Sequence, residues 1–243
     1  MYVCSSPSAT IIMVQRILVC GVAAFVLACG SDQRDVAVRS QDGTDSASQA
    51  AKPVVLFLGT SLTAGLGLAR EQAYPALIQA KIDSAGLTYR VVNAGVSGET
   101  SAGGLRRIDW LLRQPVAVLV VELGANDMLR GQSVEALRSN LEEIIERTRA
   151  AHPEARIVLA GMKAAPNLGP RYTAEFESVF VELAQERDVE LIPFLLEGVA
   201  GVPELNQPDG NHPTAEGQRI VAENVWQVLR PILVKRESRV GVN

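Results

Sequence analysis

The chain has 243 residues, of which 47% are hydrophobic and 21% are charged, and its formal net charge is −4. This composition is typical of a globular protein and argues against a disordered or collagen-like chain. The weakly acidic balance gives no electrostatic reason to expect nucleic acid as a partner, so none is predicted.

The N-terminal segment has the pattern of an export signal. Residues 17–28 form one apolar run directly after Arg16. The run is too short to span a bilayer as a permanent helix, whereas a basic residue followed by a short apolar core is typical of a signal peptide. Met13 begins a more conventional basic region than Met1 does, so we expect Met13 to be the true start.

The end of this run, Val26-Leu27-Ala28-Cys29-Gly30, resembles a bacterial lipoprotein box, whose cysteine is lipidated and becomes the mature N-terminus. The resemblance implies a signal peptide over residues 1–29, a lipid anchor on Cys29, a membrane as partner, and a periplasmic or membrane-anchored location in a bacterium. The alternative is ordinary cleavage near Ala28, which leaves Cys29 incidental. Residues 30–51 are polar and aperiodic, which predicts a flexible linker.

The remainder of the chain is predicted to be one domain over residues 52–235, followed by a tail over 236–243. All three cysteines, Cys4, Cys20 and Cys29, precede this domain. The domain therefore has no disulfide, no thiolate metal site and no cysteine nucleophile. A domain of roughly 190 residues buries about 70% of its unfolded surface, which is enough for a sizeable core.

Apolar segments of strand length alternate with helical patterns along the domain. The predicted strands are Val54–Leu58, Tyr89–Asn93, Val116–Val121, Arg156–Ala160 and Glu190–Phe194. Residues 133–151 show the clearest helical periodicity, with Ser133 as a plausible N-cap, and residues 215–233 form the last predicted helix. This alternation predicts an α/β fold, a three-layer α/β/α sandwich around a five-stranded parallel sheet.

Ligands of such folds bind beyond the carboxyl ends of the strands, so the segments after the strands should carry the chemistry. The first strand is followed by Gly59-Thr60-Ser61-Leu62-Thr63-Ala64-Gly65. A serine flanked by glycines in this position sits on a tight turn with its hydroxyl exposed. It is not a Gly-x-Ser-x-Gly elbow, because the second glycine lies four residues after Ser61. Taken alone, such a segment is more often just a turn.

Two further segments follow the second and third strands. In Asn93–Thr100, Gly95 lets backbone N–H groups approach a ligand closely. In Gly124-Ala125-Asn126-Asp127, the amide of Asn126 can donate to a developing oxyanion where a carboxylate would repel it. Each segment by itself is equally compatible with an ordinary loop or turn.

The segment Asp209-Gly210-Asn211-His212-Pro213 contains an acid and an imidazole three residues apart, just before a helix. The Asp can accept from one ring nitrogen while the other nitrogen faces a nucleophile. The other histidine, His152, precedes the fourth strand and so lies at the wrong end of the sheet. We interpret it as a solvated loop or helix-end residue, which leaves His212 as the only credible base.

Together the four segments resemble the conserved blocks of the SGNH, or GDSL-type, hydrolase family, in the right order and across about residues 54–233. The nucleophile, glycine, G-x-N-D and D-x-x-H blocks correspond to Gly59–Gly65, Gly95, Gly124–Asp127 and Asp209–His212. Residues 65–68 and 93–104 look most like the branch that contains arylesterases, lysophospholipase L1 and acyl-CoA thioesterase I.

This resemblance implies a serine esterase that acts on acyl or aryl esters, lysophospholipids or thioesters. It implies a catalytic triad of Ser61, His212 and Asp209, and an oxyanion hole formed by the Ser61 N–H, the Gly95 N–H and the Asn126 amide. Neither a metal nor a cofactor is expected. Thr60 stands where the family has Asp, which is chemically tolerable because that Asp is not the nucleophile.

Two alternative functions remain open at this point. The same blocks would serve a carbohydrate O-deacetylase of the cell envelope. An inactive, lipid-tethered binding protein is the other, with Thr60 as an early sign of decay. The apolar residues that follow strands either line an acyl site or belong to the core: Leu66, Leu68, Met128 and Leu129. Residues 164–172 resemble the loop that borders the acyl site in the thioesterase and lysophospholipase branch.

Overall fold

The structure, a computed structural model, describes residues 52–240. The predicted signal peptide, Cys29 and the linker up to residue 51 lie outside the described residues. Five strands form a single parallel sheet of order β2-β1-β3-β4-β5, which confirms the predicted fold class. They are β1 (Val54–Gly59), β2 (Arg90–Gly95), β3 (Val116–Glu122), β4 (Arg156–Ala160) and β5 (Glu190–Ile192).

Helices cover both faces of this sheet. They are α1 (Ser61–Ala64), α2 (Tyr74–Ser84), α3 (Ser101–Leu111), α4 (Ala125–Leu129), α5 (Val134–Ala151), α6 (Pro170–Glu186) and α7 (Ala215–Val240). Helix α5 packs against α3 and α6, and α2 packs against α7, which gives two helical layers. Between residues 52 and 240, none of the helices combines the length and the hydrophobicity that a transmembrane span requires.

The central strands owe their pairing to burial on both faces. Every residue of β1 and of β3 is buried, and Val54 to Leu58 are completely inaccessible to solvent. Continuous runs of Val and Leu suit this environment because helices cover each face of a parallel sheet. The polar exception is Glu122, which ends β3 and is buried nonetheless.

Element ends differ from the predictions where polar residues or proline intervene. Strand β2 continues to Gly95, two residues past the predicted end at the polar Asn93, because the backbones of Ala94 and Gly95 still pair with β1. Strand β5 ends at Ile192, since Pro193 has no N–H for the ladder. Helix α5 begins as predicted, with the Ser133 hydroxyl accepting from the Ala136 N–H, whereas α7 extends seven residues past the predicted end at 233, to Val240.

The strand register brings the ends of β1, β2 and β3 side by side. Gly59 pairs with Gly95 on one side and with Glu122 on the other. The segments that follow these three strands therefore start next to one another at the carboxyl edge of the sheet. This edge is where ligands of open α/β sheets bind.

Candidate active site

Ser61 is the first residue of α1, a single helical turn that follows β1 after one intervening residue. Thr60 caps this turn, its hydroxyl accepting from the Leu62 N–H at 3.4 Å, and Gly65 ends it with a left-handed φ of 74°. A glycine suits that position because a positive φ strains residues with a Cβ. The sharp change from strand to helix leaves the Ser61 side chain at the carboxyl edge, with 9% of its surface exposed.

The structure brings Ser61, His212 and Asp209 together in one hydrogen-bonded chain. The Ser61 Oγ lies 2.8 Å from the His212 Nε2, and the His212 Nδ1 lies 2.6 Å from the Asp209 Oδ2. An ionised carboxylate only accepts hydrogen bonds, so the imidazole proton belongs on Nδ1. The Nε2 lone pair is then directed at the serine hydroxyl, which is the arrangement that a general base requires.

Asp209 is held in its ionised form by local donors. Backbone N–H groups of Asn211 and His212 donate to its Oδ1 at 2.9 and 3.0 Å. These bonds, together with the one from the His212 side chain, lower the pKa of Asp209 to about 2. The carboxylate is therefore negative throughout the neutral range and can stabilise an imidazolium at His212.

Gln207 connects the loop of His212 to the loop of Ser61. The Gln207 side-chain amide donates to the Leu66 carbonyl at 2.8 Å and to the Pro213 carbonyl at 3.0 Å. The Gln207 N–H also donates to the His212 carbonyl at 2.7 Å. The bond to Leu66 spans 141 residues of sequence, so Gln207 links the loop of His212 to the loop that follows Ser61.

Two of the predicted oxyanion donors, Asn126 and Ser61, have an N–H hydrogen that is not engaged by an acceptor within residues 52–240. The Asn126 Nδ2 donates one hydrogen to the Glu99 carbonyl at 3.0 Å, which leaves its second amide hydrogen available. The Ser61 N–H has no acceptor among the residues that the structure describes. Donors that are already oriented and not yet engaged are what a developing oxyanion needs.

The prediction for Gly95 needs correction. Its N–H already donates to the Asn93 Oδ1 at 2.9 Å. A Cβ on this residue would lie 2.3 Å from the Ala64 nitrogen, so the glycine is required for packing of α1 against β2. Gly98 has the properties that Gly95 lacks. Its φ is 79°, and within residues 52–240 its N–H has no acceptor.

Identifying Gly98 as the candidate oxyanion donor requires the register of β2. The loop contains two glycines, and the sequence does not say where the strand stops. Because β2 continues to Gly95, only Gly98 lies beyond the sheet edge. Gly98 also precedes Glu99, whose carbonyl accepts from the Asn126 amide, so the loop glycine and Asn126 are neighbours.

Polar contacts made by Arg107 and by Asp127 hold the loop of Gly98 in place. Arg107 forms a bidentate ion pair with Glu99 and also donates to the Ala94 carbonyl at 2.5 Å. It therefore links the two ends of the loop. Asp127 is buried and accepts from the N–H and the hydroxyl of Ser101 at 2.8 and 2.5 Å. The second contact joins the residue after Asn126 to the start of α3.

Glu122 was not identified from the sequence. It ends β3 with only 1% of its surface exposed, and its carboxylate accepts hydrogen bonds from Thr60 and Thr63. Burial raises the pKa of Glu122 to about 7, although these hydrogen bonds act in the opposite direction. Thr60, which departs from the family pattern, therefore has a defined structural role as a hydrogen-bond donor to a buried acid.

The remaining predictions concern residues at the margin. His152 caps the C-terminal end of α5, with its Nε2 2.8 Å from the Leu112 carbonyl, which agrees with a helix-end role. Leu66 and Leu129 are exposed, by 44% and 71%, and so are not core residues. Met128 packs partly against the core, and its sulfur accepts from the Ala165 N–H at 3.3 Å, so the loop after β4 contacts α4.

The chain is similar to several known proteins in sequence and in structure. Residues 57–220 match the model of the GDSL-like lipase/acylhydrolase family. The chain is 44% identical to esterase TesA of Pseudomonas aeruginosa over 76% of its own length and 92% of the relative. It is 39% identical to thioesterase 1/protease 1/lysophospholipase L1 of Escherichia coli K12, over 76% and 86% of the two chains. A crystal structure of TesA superposes with a TM-score of 0.71 at 43% identity, covering 74% of this chain and 99% of that one. The chain therefore belongs to the GDSL-like lipase/acylhydrolase family and is an ester hydrolase of the SGNH type.

Proposed function

We propose that Ser61 is the nucleophile of this hydrolase, with His212 as its base and Asp209 as the residue that orients the base. The observation that carries the proposal is the continuous chain from the Ser61 Oγ through His212 to Asp209, with links of 2.8 and 2.6 Å. A serine hydroxyl is a weak nucleophile until a neighbouring base accepts its proton. Both distances already fall within the range that such proton transfer requires.

The reaction proceeds in two halves. The Ser61 Oγ attacks the ester carbonyl while the His212 Nε2 takes the hydroxyl proton, and the carbonyl oxygen becomes an oxyanion. The Ser61 N–H, the Gly98 N–H and the free amide hydrogen of Asn126 stabilise that oxyanion. His212 then protonates the departing alcohol, and a water molecule, activated by the same imidazole, hydrolyses the acyl-enzyme.

The substrates that we propose are carboxylic esters with an apolar acyl or aryl group. Leu66 and Leu129 stand exposed on segments that follow β1 and β3, at the edge that carries Ser61. The name of the Escherichia coli relative extends the proposed class to thioesters and lysophospholipids. A polar acetylated sugar, the substrate of an O-deacetylase, gains nothing from such apolar side chains.

A substrate panel tests this proposal. Wild type and Ser61→Ala would be compared on p-nitrophenyl esters of increasing chain length, acyl-CoA, lysophospholipid and acetylated xylan. We expect turnover of the acyl esters by wild type and none by Ser61→Ala. Turnover by Ser61→Ala at the wild-type rate would overturn the role of Ser61, and activity restricted to acetylated sugar would favour the deacetylase.

Reaction with a fluorophosphonate probe tests the alternative of an inactive binding protein. Such probes label only an activated serine, so wild type should react and Ser61→Ala should not. A wild-type protein that turns over no ester and resists the probe would support the inactive alternative.

We further propose that the protein is exported in a bacterium and held on a membrane through lipidated Cys29, as the lipoprotein-like segment around that residue suggests. Two or more acyl chains on one cysteine give stable anchoring, whereas one chain does not. The test is fractionation of cells that express wild type or Cys29→Ser, with labelling by radioactive palmitate. The label and the membrane association should both depend on Cys29; equal behaviour of the two proteins would contradict the anchor.

A further inference from the structure

Glu122 is a buried acid that takes no part in the ester chemistry assigned to Ser61. Its two oxygens accept from both ends of the turn that carries the nucleophile. The Thr60 N–H and hydroxyl donate at 2.8 and 2.9 Å, and the Thr63 N–H and hydroxyl donate at 3.3 and 2.8 Å. Ser61 lies between these two threonines, so the carboxylate grips the turn on either side of the nucleophile.

The hydrogen-bond pattern fits the ionised form of Glu122. Backbone N–H groups can only donate, and four donors converge on its two oxygens. A protonated Glu122 would bring a fifth hydrogen into the cluster, and one threonine hydroxyl would have to turn around to accept it. Within residues 52–240 no Lys, Arg or His forms an ion pair with Glu122, so hydrogen bonds alone stabilise its charge.

Thr60 is central to this arrangement because of what it replaces. Its hydroxyl oxygen lies 2.9 and 3.0 Å from the two carboxylate oxygens of Glu122. An aspartate at position 60 would bring a second carboxylate to this place, and two like charges at such a distance do not both ionise. A threonine instead supplies a hydrogen-bond donor, which favours the ionised form of Glu122.

We propose that Glu122 is a positioning residue for the nucleophile: its carboxylate, held by Thr60 and Thr63, fixes the Ser61 turn at the distance that His212 requires. The proposal rests on the role of Ser61 given above. We call the hydrogen bonds from Thr60 and Thr63 to Glu122 the clamp. A misplacement of the nucleophile by about 1 Å can reduce a rate about 10²-fold, so the clamp directly affects catalysis.

The surroundings of Glu122 determine how this clamp responds to pH. From α2, Tyr74 reaches the cluster through the Thr63 hydroxyl at 2.7 Å, and burial keeps the pKa of Tyr74 well above 10. Helix α7 contributes the uncharged Gln218, which contacts the backbone of Tyr74 and Leu62, and β2 contributes Asn93. On the far side of the turn stands His212.

Because burial raises the pKa of Glu122 to about 7, its charge changes near neutral pH. Below that pH the carboxyl group is protonated, one donor must reverse, and the turn loosens. Above it the carboxylate accepts from all four donors. The contribution of the clamp should therefore grow as the pH rises through about 7.

The test is Glu122→Gln, which keeps the shape of the side chain and removes the charge. The measurements are the rate constant for reaction with a fluorophosphonate, kcat and KM for a p-nitrophenyl ester, all from pH 5 to 9, and the melting temperature. Glu182→Gln, a change at an exposed ion pair on α6, is the matched control. Thr60→Ser should retain the clamp, and Thr60→Asp should move its onset to higher pH.

We expect Glu122→Gln to react about 10-fold more slowly than wild type at pH 8, with KM nearly unchanged, and to converge with wild type near pH 5. A folded Glu122→Gln protein with the wild-type pH profile would overturn the proposal. If that variant does not fold, the pH profile of Thr60→Asp decides: a shifted profile supports the clamp and an unchanged one overturns it. A wild type that resists the probe would instead show that the role of Ser61 is wrong.

Discussion

Gly95→Ala tests whether this glycine is needed for packing, as the structure indicates, and not for ligand binding. The new Cβ would lie 2.3 Å from the nitrogen and 2.8 Å from the Cα of Ala64. Ordinary contacts between such atoms are longer than 3.4 Å, so β2 and α1 must separate by about 1 Å. Both of these Ala64 atoms belong to the backbone of the turn that carries Ser61, so they cannot rotate away as the end of a flexible side chain would.

The expected cost follows from this overlap. Overpacking of a well-filled interior costs about 1–3 kcal/mol, and each kcal/mol lowers the melting temperature of a domain of this size by about 2–4 °C. We therefore expect a loss of about 2–12 °C for Gly95→Ala. The same displacement moves Ser61 relative to His212, so kcat should fall about 10²-fold.

The assay is calorimetry combined with ester turnover, and Gly86→Ala provides the control. Gly86 differs from Gly95 in having a positive φ, of 70°, and a Cβ there would meet no atom within 4 Å. That variant should lose about 1 kcal/mol of stability from backbone strain and keep its kcat. If Gly95→Ala melted with wild type and turned over ester at the wild-type rate, the packing role of Gly95 would be refuted.

Three further substitutions separate the contributions to the site. Asn126→Ala should lower kcat by about 10²–10³-fold with an unchanged melting temperature, since it removes an oxyanion donor; a loss below threefold would exclude Asn126 from the oxyanion hole. Asp209→Asn should lower kcat by about 10⁴-fold, because an amide no longer enforces a proton on the His212 Nδ1; near-normal kcat would show that His212 works without it. Arg107→Ala should lower kcat several-fold, because it releases the loop of Gly98, and should leave the pH dependence of the reaction like that of wild type. Unaltered kinetics would show that the loop keeps its position without the Arg107–Glu99 ion pair.

Much of the fold could be predicted from the sequence because its strongest signals coincide with its deepest burial. β1 and β3 are buried on both faces, so their apolar runs are continuous and easily recognised. The ends of β2 and β5 were less well predicted. At β2 a polar side chain does not reveal that its backbone continues the ladder, and at β5 the residues beyond Pro193 resemble a strand in composition alone.

Some residues of the site could be predicted from the sequence, and others could not. Ser61, His212, Asp209 and Asn126 stand in recognisable short motifs, and the fold brings their segments to one edge of the sheet. Gly98 and Glu122 depend on information that no short motif contains. The choice between Gly95 and Gly98 requires the register of β2, and the importance of Glu122 requires knowing that Thr60 and Thr63 turn back over the end of β3.

The position of Thr60 shows why a departure from a family motif must be judged with its partners. From the sequence alone, the replacement of Asp by Thr is compatible with loss of function. In the structure the Thr60 hydroxyl both caps α1 and donates to Glu122. A protein that had lost its catalytic role would have no need to keep a buried acid, which is costly to desolvate, supplied with four donors beneath an otherwise complete Ser61–His212–Asp209 chain. The substitution is therefore better understood as an adjustment of the charge beneath the nucleophile turn than as decay of the site.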